Sequence, residues 1–227
     1  MIRIGVLASG TGTNLHAILD ACARGEISGR VVVVVSNNPK ARALDRARRA
    51  GIPAVAMHHR AFPDRDTFDA KLAEVLNSYE VDLVCMAGFM RILGPWFVNQ
   101  FTGRIMNIHP ALLPSFGGLG MYGDRVHKAV LDSGSKFSGC TVHFANEAPD
   151  GGPIILQAVV PVHDTDTIET LAARIAQEEH KLYPQAVRLF GEGRLQIVGR
   201  RVRVLPQGPP REAVGITEVS EGEGELG

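Results

Sequence analysis

Short apolar runs alternate with amphipathic stretches through the first half of the chain. Residues 2–8 form an apolar run of strand length, and residues 14–23 carry apolar positions at helical spacing. The five consecutive valines at 31–35 predict a strand buried on both faces, because no polar position alternates with them. Residues 40–50 read as a helix stopped by Gly51 and Pro53, and 54–57 as a short strand. Residues 66–79 place Phe68, Leu72, Val75 and Leu76 on one helical face. Strands at 81–87 and 104–109 follow, bridged by a short helix after Pro95. This alternation predicts an α/β fold: a doubly wound, mostly parallel sheet with helices on both faces.

The second half breaks the pattern. Residues 110–122 contain Pro110, Pro114, Gly117, Gly118 and Gly120, and form a loop long enough to suggest function. A helix at 125–131 and strands at 140–145 and 153–160 come next, with Asp150-Gly151-Gly152 turning the chain and one antiparallel strand expected here. Residues 167–190 form a long helix that Pro184 should kink or break, and 193–204 a small hairpin. The tail at 206–227 is rich in Gly and Glu and is expected to be flexible.

Composition narrows the function classes. Lys plus Arg equals Asp plus Glu, 24 against 24, so net charge does not favour nucleic acid or anionic membranes. Cys22, Cys85 and Cys140 match no metal-ligand spacing and read as reduced thiols. No apolar run approaches the ~20 residues of a membrane span. No signal-peptide pattern precedes the first strand, and a cytoplasmic protein is expected.

Chemistry concentrates at Asn107-Ile108-His109-Pro110. Asn107 and His109 are two apart, so on a strand both emerge on one face, and Pro110 ends that strand. An amide and an imidazole at a strand's carboxyl end suit an oxyanion and a proton. Asp150 serves equally as turn residue or as the acid partner. Ser9-Gly10-Thr11-Gly12-Thr13-Asn14 follows a strand and opens a helix, where backbone N–H groups can meet an anion. It is no dinucleotide fingerprint: Leu15 takes the third glycine position, and the second strand ends in Ser36-Asn37-Asn38 without an acid. A phosphate monoester fits it, and a ligand-free tight turn competes. Arg65 and Glu179 read by default as solvated charges, and His58, His59 and His127 as surface residues. Arg91 is a charge inside the apolar stretch 88–93, past a strand end, and points to a ligand or a buried acid.

In order along the chain, residues 9–15, Ala87-Gly88-Phe89-Met90-Arg91-Ile92-Leu93, Asn107-Ile108-His109-Pro110-Ala111-Leu112-Leu113-Pro114, Gly139-Cys140-Thr141-Val142-His143-Phe144, Asp150-Gly151-Gly152-Pro153-Ile154 and Glu179-His180 resemble the phosphoribosylglycinamide formyltransferases of purine synthesis. Gly117 departs from the proline that family often has in the following loop, which suggests a more mobile loop. The resemblance implies a formyltransferase fold with a Rossmann-like N-terminal half. It divides a single domain, residues 1–205, into a phosphate-binding half at 1–100 and a folate and catalytic half at 101–205.

The implied reaction moves the formyl group of 10-formyltetrahydrofolate to the primary amine of glycinamide ribonucleotide, with no metal. Asn107, His109 and Asp150 match the catalytic trio, Asp150 raising the His109 pKa from ~6.5. Thr11, Gly12, Thr13, Asn14, Arg65 and Glu179 match the ribonucleotide site, Arg65 as a phosphate contact and Glu179 at the ribose hydroxyls. Met90, Arg91, Ile92 and Leu93, with Ala145, Asn146, Glu147, Ala148, Pro149 and Asp150, match the folate pocket. Partners are these two small molecules, with no nucleic acid or membrane, in a monomer or homodimer. Competing readings are methionyl-tRNA formyltransferase, which adds an RNA-binding domain; formyltetrahydrofolate deformylase, which needs only folate and water; and a non-catalytic binding protein on the same scaffold.

Overall fold

The computed structural model describes residues 1–207. Nine strands form one sheet: β1 (Ile2–Leu7), β2 (Gly29–Ser36), β3 (Ala54–Ala56), β4 (Leu83–Met86), β5 (Ile105–His109), β6 (Phe137–Phe144), β7 (Ile154–Pro161), β8 (Leu195–Val198) and β9 (Arg201–Val204). Six α-helices connect them: α1 (Thr13–Ala23), α2 (Arg42–Arg49), α3 (Arg65–Ser78), α4 (Pro95–Gln100), α5 (Asp124–Asp132) and α6 (Ile168–Gly191). The strand order is β3-β2-β1-β4-β5-β6-β7-β9-β8, with β1 to β5 parallel. The order reverses between β1 and β4, so the crevice beyond their carboxyl ends is where such a sheet binds ligands.

Both faces are covered, as the valine run requires. On one face α1, α2 and α6 bury Leu15, Ile18, Ala43, Ala47, Ile175 and Val187 against Val6, Val34 and Met106. On the other, α3 and α4 bury Phe68, Leu72, Leu76 and Phe97 against Val33, Val35 and Val84. The antiparallel strand of the second half is β6, paired to β5 on one side and β7 on the other, and the hairpin strand β8 also runs antiparallel to its neighbour β9. The hairpin joins the sheet through β9 on β7.

Pro184 does not break α6, which runs continuously over 24 residues. Proline removes one N–H donor, but Leu182, Tyr183, Ala186 and Val187 beside it are all buried, and that packing outweighs one missing bond. The flexibility expected of the tail concerns residues that lie, from 208 onward, outside the described ones.

Tyr183 ties this helix to the sheet. Its ring is fully buried, and its hydroxyl faces the carbonyls of Met106 at 2.8 Å and Met86 at 3.1 Å, on adjacent strands β5 and β4. Tyr183→Phe should cost about 1–2 kcal/mol, because the ring still packs while the buried carbonyls lose their donor. Urea denaturation should show a lowered midpoint with an unchanged slope.

Candidate active site

Asn107 and His109 lie on β5 at its carboxyl end, and both line a cavity of about 530 Å³. The antiparallel pairing sets His143 opposite Asn107 and Thr141 opposite His109. Beyond β6 the chain turns back through Ala148 and Asp150. Asp150 sits in the left-handed region at φ 55°, an uncommon conformation for a residue with a side chain. Gly152 is required in this turn, since a Cβ there would lie 1.8 Å from the Phe144 carbonyl oxygen.

The turn delivers Asp150 to the histidines. Its Oδ2 is 3.5 Å from His109 Nδ1 and accepts the Gly118 N–H at 2.9 Å, and its Oδ1 accepts from Asn107 Nδ2 at 3.4 Å. Partners fix the tautomers. His109 Nε2 is 2.8 Å from the Phe116 carbonyl, which can only accept, so Nε2 carries the proton and Nδ1 is the nitrogen that titrates. His143 Nδ1 donates to the Phe144 carbonyl at 2.9 Å, which leaves Nε2 to accept from Asn107 Nδ2 at 3.2 Å. The Asn107 amide is thereby oriented by a histidine on one side and a carboxylate on the other.

The expected upward shift of His109 does not occur. Burial pushes its pKa down, and although Asp150 and the Phe116 carbonyl pull it up, the net displacement is below the ordinary 6.5. His109 is therefore neutral near pH 7 in the unliganded protein. For Asp150, burial acts upward, but the neighbouring His143 and His109 rings and the Gly118 N–H outweigh it, and the carboxyl falls below its usual range.

A second cavity of about 220 Å³ adjoins the first, sharing Thr11, Asn14, Gly88 and Met90. Gly10, Gly12 and Thr13 complete its loop wall. Gly12 adopts φ 71° before α1, and no side chain caps the helix, so the first-turn N–H groups remain available to an anion. Its missing Cβ also lets the loop press on α2, where a side chain would meet Ala43 Cα at 2.8 Å. Buried Asn14 donates to Glu179 Oε2 at 2.9 Å, while its own Oδ1 has no partner among the described residues. Burial raises the Glu179 carboxyl.

The structure brings nearly all the sequence candidates together. Thr11, Asn14, Met90, Arg91, Ile92, Leu93, Asn107, His109, Ala145, Asn146, Glu147, Ala148, Pro149, Asp150 and Glu179 line the larger cavity, and Gly12 and Thr13 the smaller. Arg65 is the exception: it lines neither, and its guanidinium lies beside Gly94 and Asp66. The helix start that carries it belongs to the opposite end of the segment following Gly88. The Arg91 guanidinium stacks on the Phe68 ring, 4.6 Å from its centroid.

Two histidines were not singled out from sequence. His127, read as a surface residue, is buried, lines the larger cavity, and has no partner at Nδ1 among the described residues. The apolar residues Val126 and Val130 around it carried that signal, since they mark the buried face of α5. His143 could be reached only by pairing β6 with β5 in the correct register.

Fold and site together define a class of enzyme that is recognisable in other chains. The formyl transferase family matches residues 2–187, and this chain belongs to that family. It is 43% identical over 196 residues to the phosphoribosylglycinamide formyltransferase of Escherichia coli, covering 86% of this chain and 90% of that protein. It is 44% identical over 195 residues, 86% of its length, to the trifunctional purine biosynthetic protein adenosine-3 of Bos taurus, of which it spans only 19%. Among solved structures it resembles glycinamide ribonucleotide transformylase 1 from Symbiobacterium toebii, with a TM-score of 0.87 and 56% identity over 91% of this chain and 95% of that one. A formyltetrahydrofolate deformylase from Pseudomonas syringae shares the fold at 25% identity and a TM-score of 0.82, covering 90% of this chain and 66% of that one.

The His109 resonance should titrate with a midpoint below 6.5 in the unliganded protein. Asp150→Asn should lower it further, because the substitution removes an upward contribution. Since the unfolded chain binds the proton more tightly, this group makes stability fall as pH drops from about 6.5 toward the folded midpoint. An NMR midpoint above 6.5 would contradict the burial argument.

Proposed function

We propose that the protein transfers the formyl group of 10-formyltetrahydrofolate to the primary amine of glycinamide ribonucleotide, giving N-formylglycinamide ribonucleotide and tetrahydrofolate. One observation carries this reading: a phosphate-sized cavity at a helix N-terminus opens into a larger cavity whose wall holds Asn107, His109 and Asp150. The ribonucleotide phosphate takes the loop at 11–14, and Glu179 and Asn14 face the ribose. The folate ring lies between the segment Met90 to Leu93 and the segment Ala145 to Asp150, where half-exposed Met90 and Ile92 offer apolar surface. Residues 1–205 act as one catalytic unit.

The amine attacks the formyl carbon, and the carbonyl electron pair moves onto oxygen. Asn107 stabilises this oxyanion; its 3.4 Å bond to Asp150 is the weaker of its two and yields to the incoming oxygen. The growing negative charge raises the proton affinity of His109 Nδ1, which takes the proton released by the ammonium nitrogen of the adduct, beside Asp150. The Asp150 carboxylate or water held by it relays that proton to N10, the oxyanion reforms the carbonyl as the carbon–N10 bond breaks, and His109 returns to its neutral form. The reaction routes no step through a metal.

A deformylase would use the same trio with water as nucleophile. The phosphate cavity, which such a hydrolase has no use for, favours the transferase. Incubation with folate carrying a ¹³C-labelled formyl group should yield a labelled formamide on the ribonucleotide. Asp150→Asn should cut turnover by about 10²–10⁴-fold while the melting temperature stays close to wild type. Label appearing only in formate would overturn the transferase reading, and near wild-type turnover of the variant would remove Asp150 from the mechanism.

A further inference from the structure

Ser9 joins the two cavities. It is the first residue of the phosphate loop, and its backbone N–H donates to the Gly88 carbonyl at 3.0 Å. Its hydroxyl accepts the Met90 N–H at 2.8 Å and donates to Asn37 Oδ1 at 2.5 Å. Its carbonyl accepts from Asn38 Nδ2 at 3.3 Å. The turn after β2 is built around this serine: Asn37 and Ser36 are buried, and the Ser36 hydroxyl closes on the backbone of Asn38. Ser36-Asn37-Asn38, which stands where a dinucleotide-binding sheet carries an acid, therefore serves to hold Ser9.

The segment from Gly88 to Gly94 is held differently at its far end. The Gly94 N–H donates at 2.6 Å to Oδ2 of Asp69, a buried carboxylate on α3. One clamp is thus shared with the phosphate loop, and the other is independent of it.

We propose that Ser9 is a positioning residue that couples the two substrate sites, so that filling the phosphate loop pre-orders the Met90 end of the folate segment. The coupling rests on the two-substrate reading above. A ligand on the phosphate loop restrains Ser9, the serine hydroxyl restrains the Met90 backbone, and the second ligand then orders less chain on binding. Linkage makes the effect reciprocal. Asp69 steadies the same segment without reference to the phosphate loop, so its loss weakens folate binding alone.

The test is the dissociation constant of a non-transferable 10-formylfolate analogue, measured by calorimetry with and without saturating glycinamide ribonucleotide. In wild type the ribonucleotide should tighten the analogue by about fivefold or more. The ratio should fall to near one in Ser9→Ala and be restored in Ser9→Thr, which keeps the hydroxyl. In Asp69→Asn the analogue should bind more weakly in both conditions with the ratio preserved. A wild-type ratio of one, a ratio retained in Ser9→Ala, or a ratio that also falls to near one in Asp69→Asn would each overturn the assignment to Ser9. Failure of wild type to bind the ribonucleotide at all would overturn the two-substrate reading itself.

Discussion

Everything at this site depends on the antiparallel pairing of β6 with β5. The parallel half of the sheet carries Asn107 and His109 only to a strand end. Reversal of the next strand sets His143 against Asn107 and ends β6 beside Met106, from where the turn at 145–153 projects Asp150 onto Asn107 and His109. The close approach of Gly152 to the Phe144 carbonyl fixes where that turn begins. Slipping the register by one residue would move every side chain of β6 to the other face and leave Asn107 without its oriented amide.

The two adjoining cavities follow from the topology. The strand order reverses between β1 and β4, so the loops after these strands diverge and leave a crevice. The loop after β1 lines it with backbone N–H groups, and the segment after β4 lines it with Met90 and its neighbours. A phosphate and a reactive carbonyl can be held within one crevice because different strand ends serve each. Burial disfavours the charged form of both His109 and Asp150, and only at Asp150 do the neighbouring groups outweigh it and keep the carboxylate ionised. The proton affinity of His109 is thus low in the unliganded protein, and in the proposed mechanism it rises as negative charge develops beside it.

Much of this was legible in the sequence, for identifiable reasons. The five valines announced a strand covered on both faces, and the spacing of Asn107 and His109 predicted a shared direction. Local pattern failed where long-range packing decides. Pro184 reads as a helix breaker, yet buried neighbours hold α6 intact. His143 depends on a pairing 36 residues away in the chain, which no local pattern encodes. Arg65 was drawn toward the phosphate because both lie at strand ends, but the chain carries it to Gly94. The direction of the His109 shift required knowing its burial, which a strand end does not reveal.

The measurement that bears most directly on the central claim is the rate of folate product formation from 10-formyltetrahydrofolate, followed by absorbance with and without glycinamide ribonucleotide. Product that forms only when the ribonucleotide is present is the outcome expected of two cavities serving one reaction. Equal rates without it would contradict the account, leaving water as the acceptor and the phosphate loop without a role.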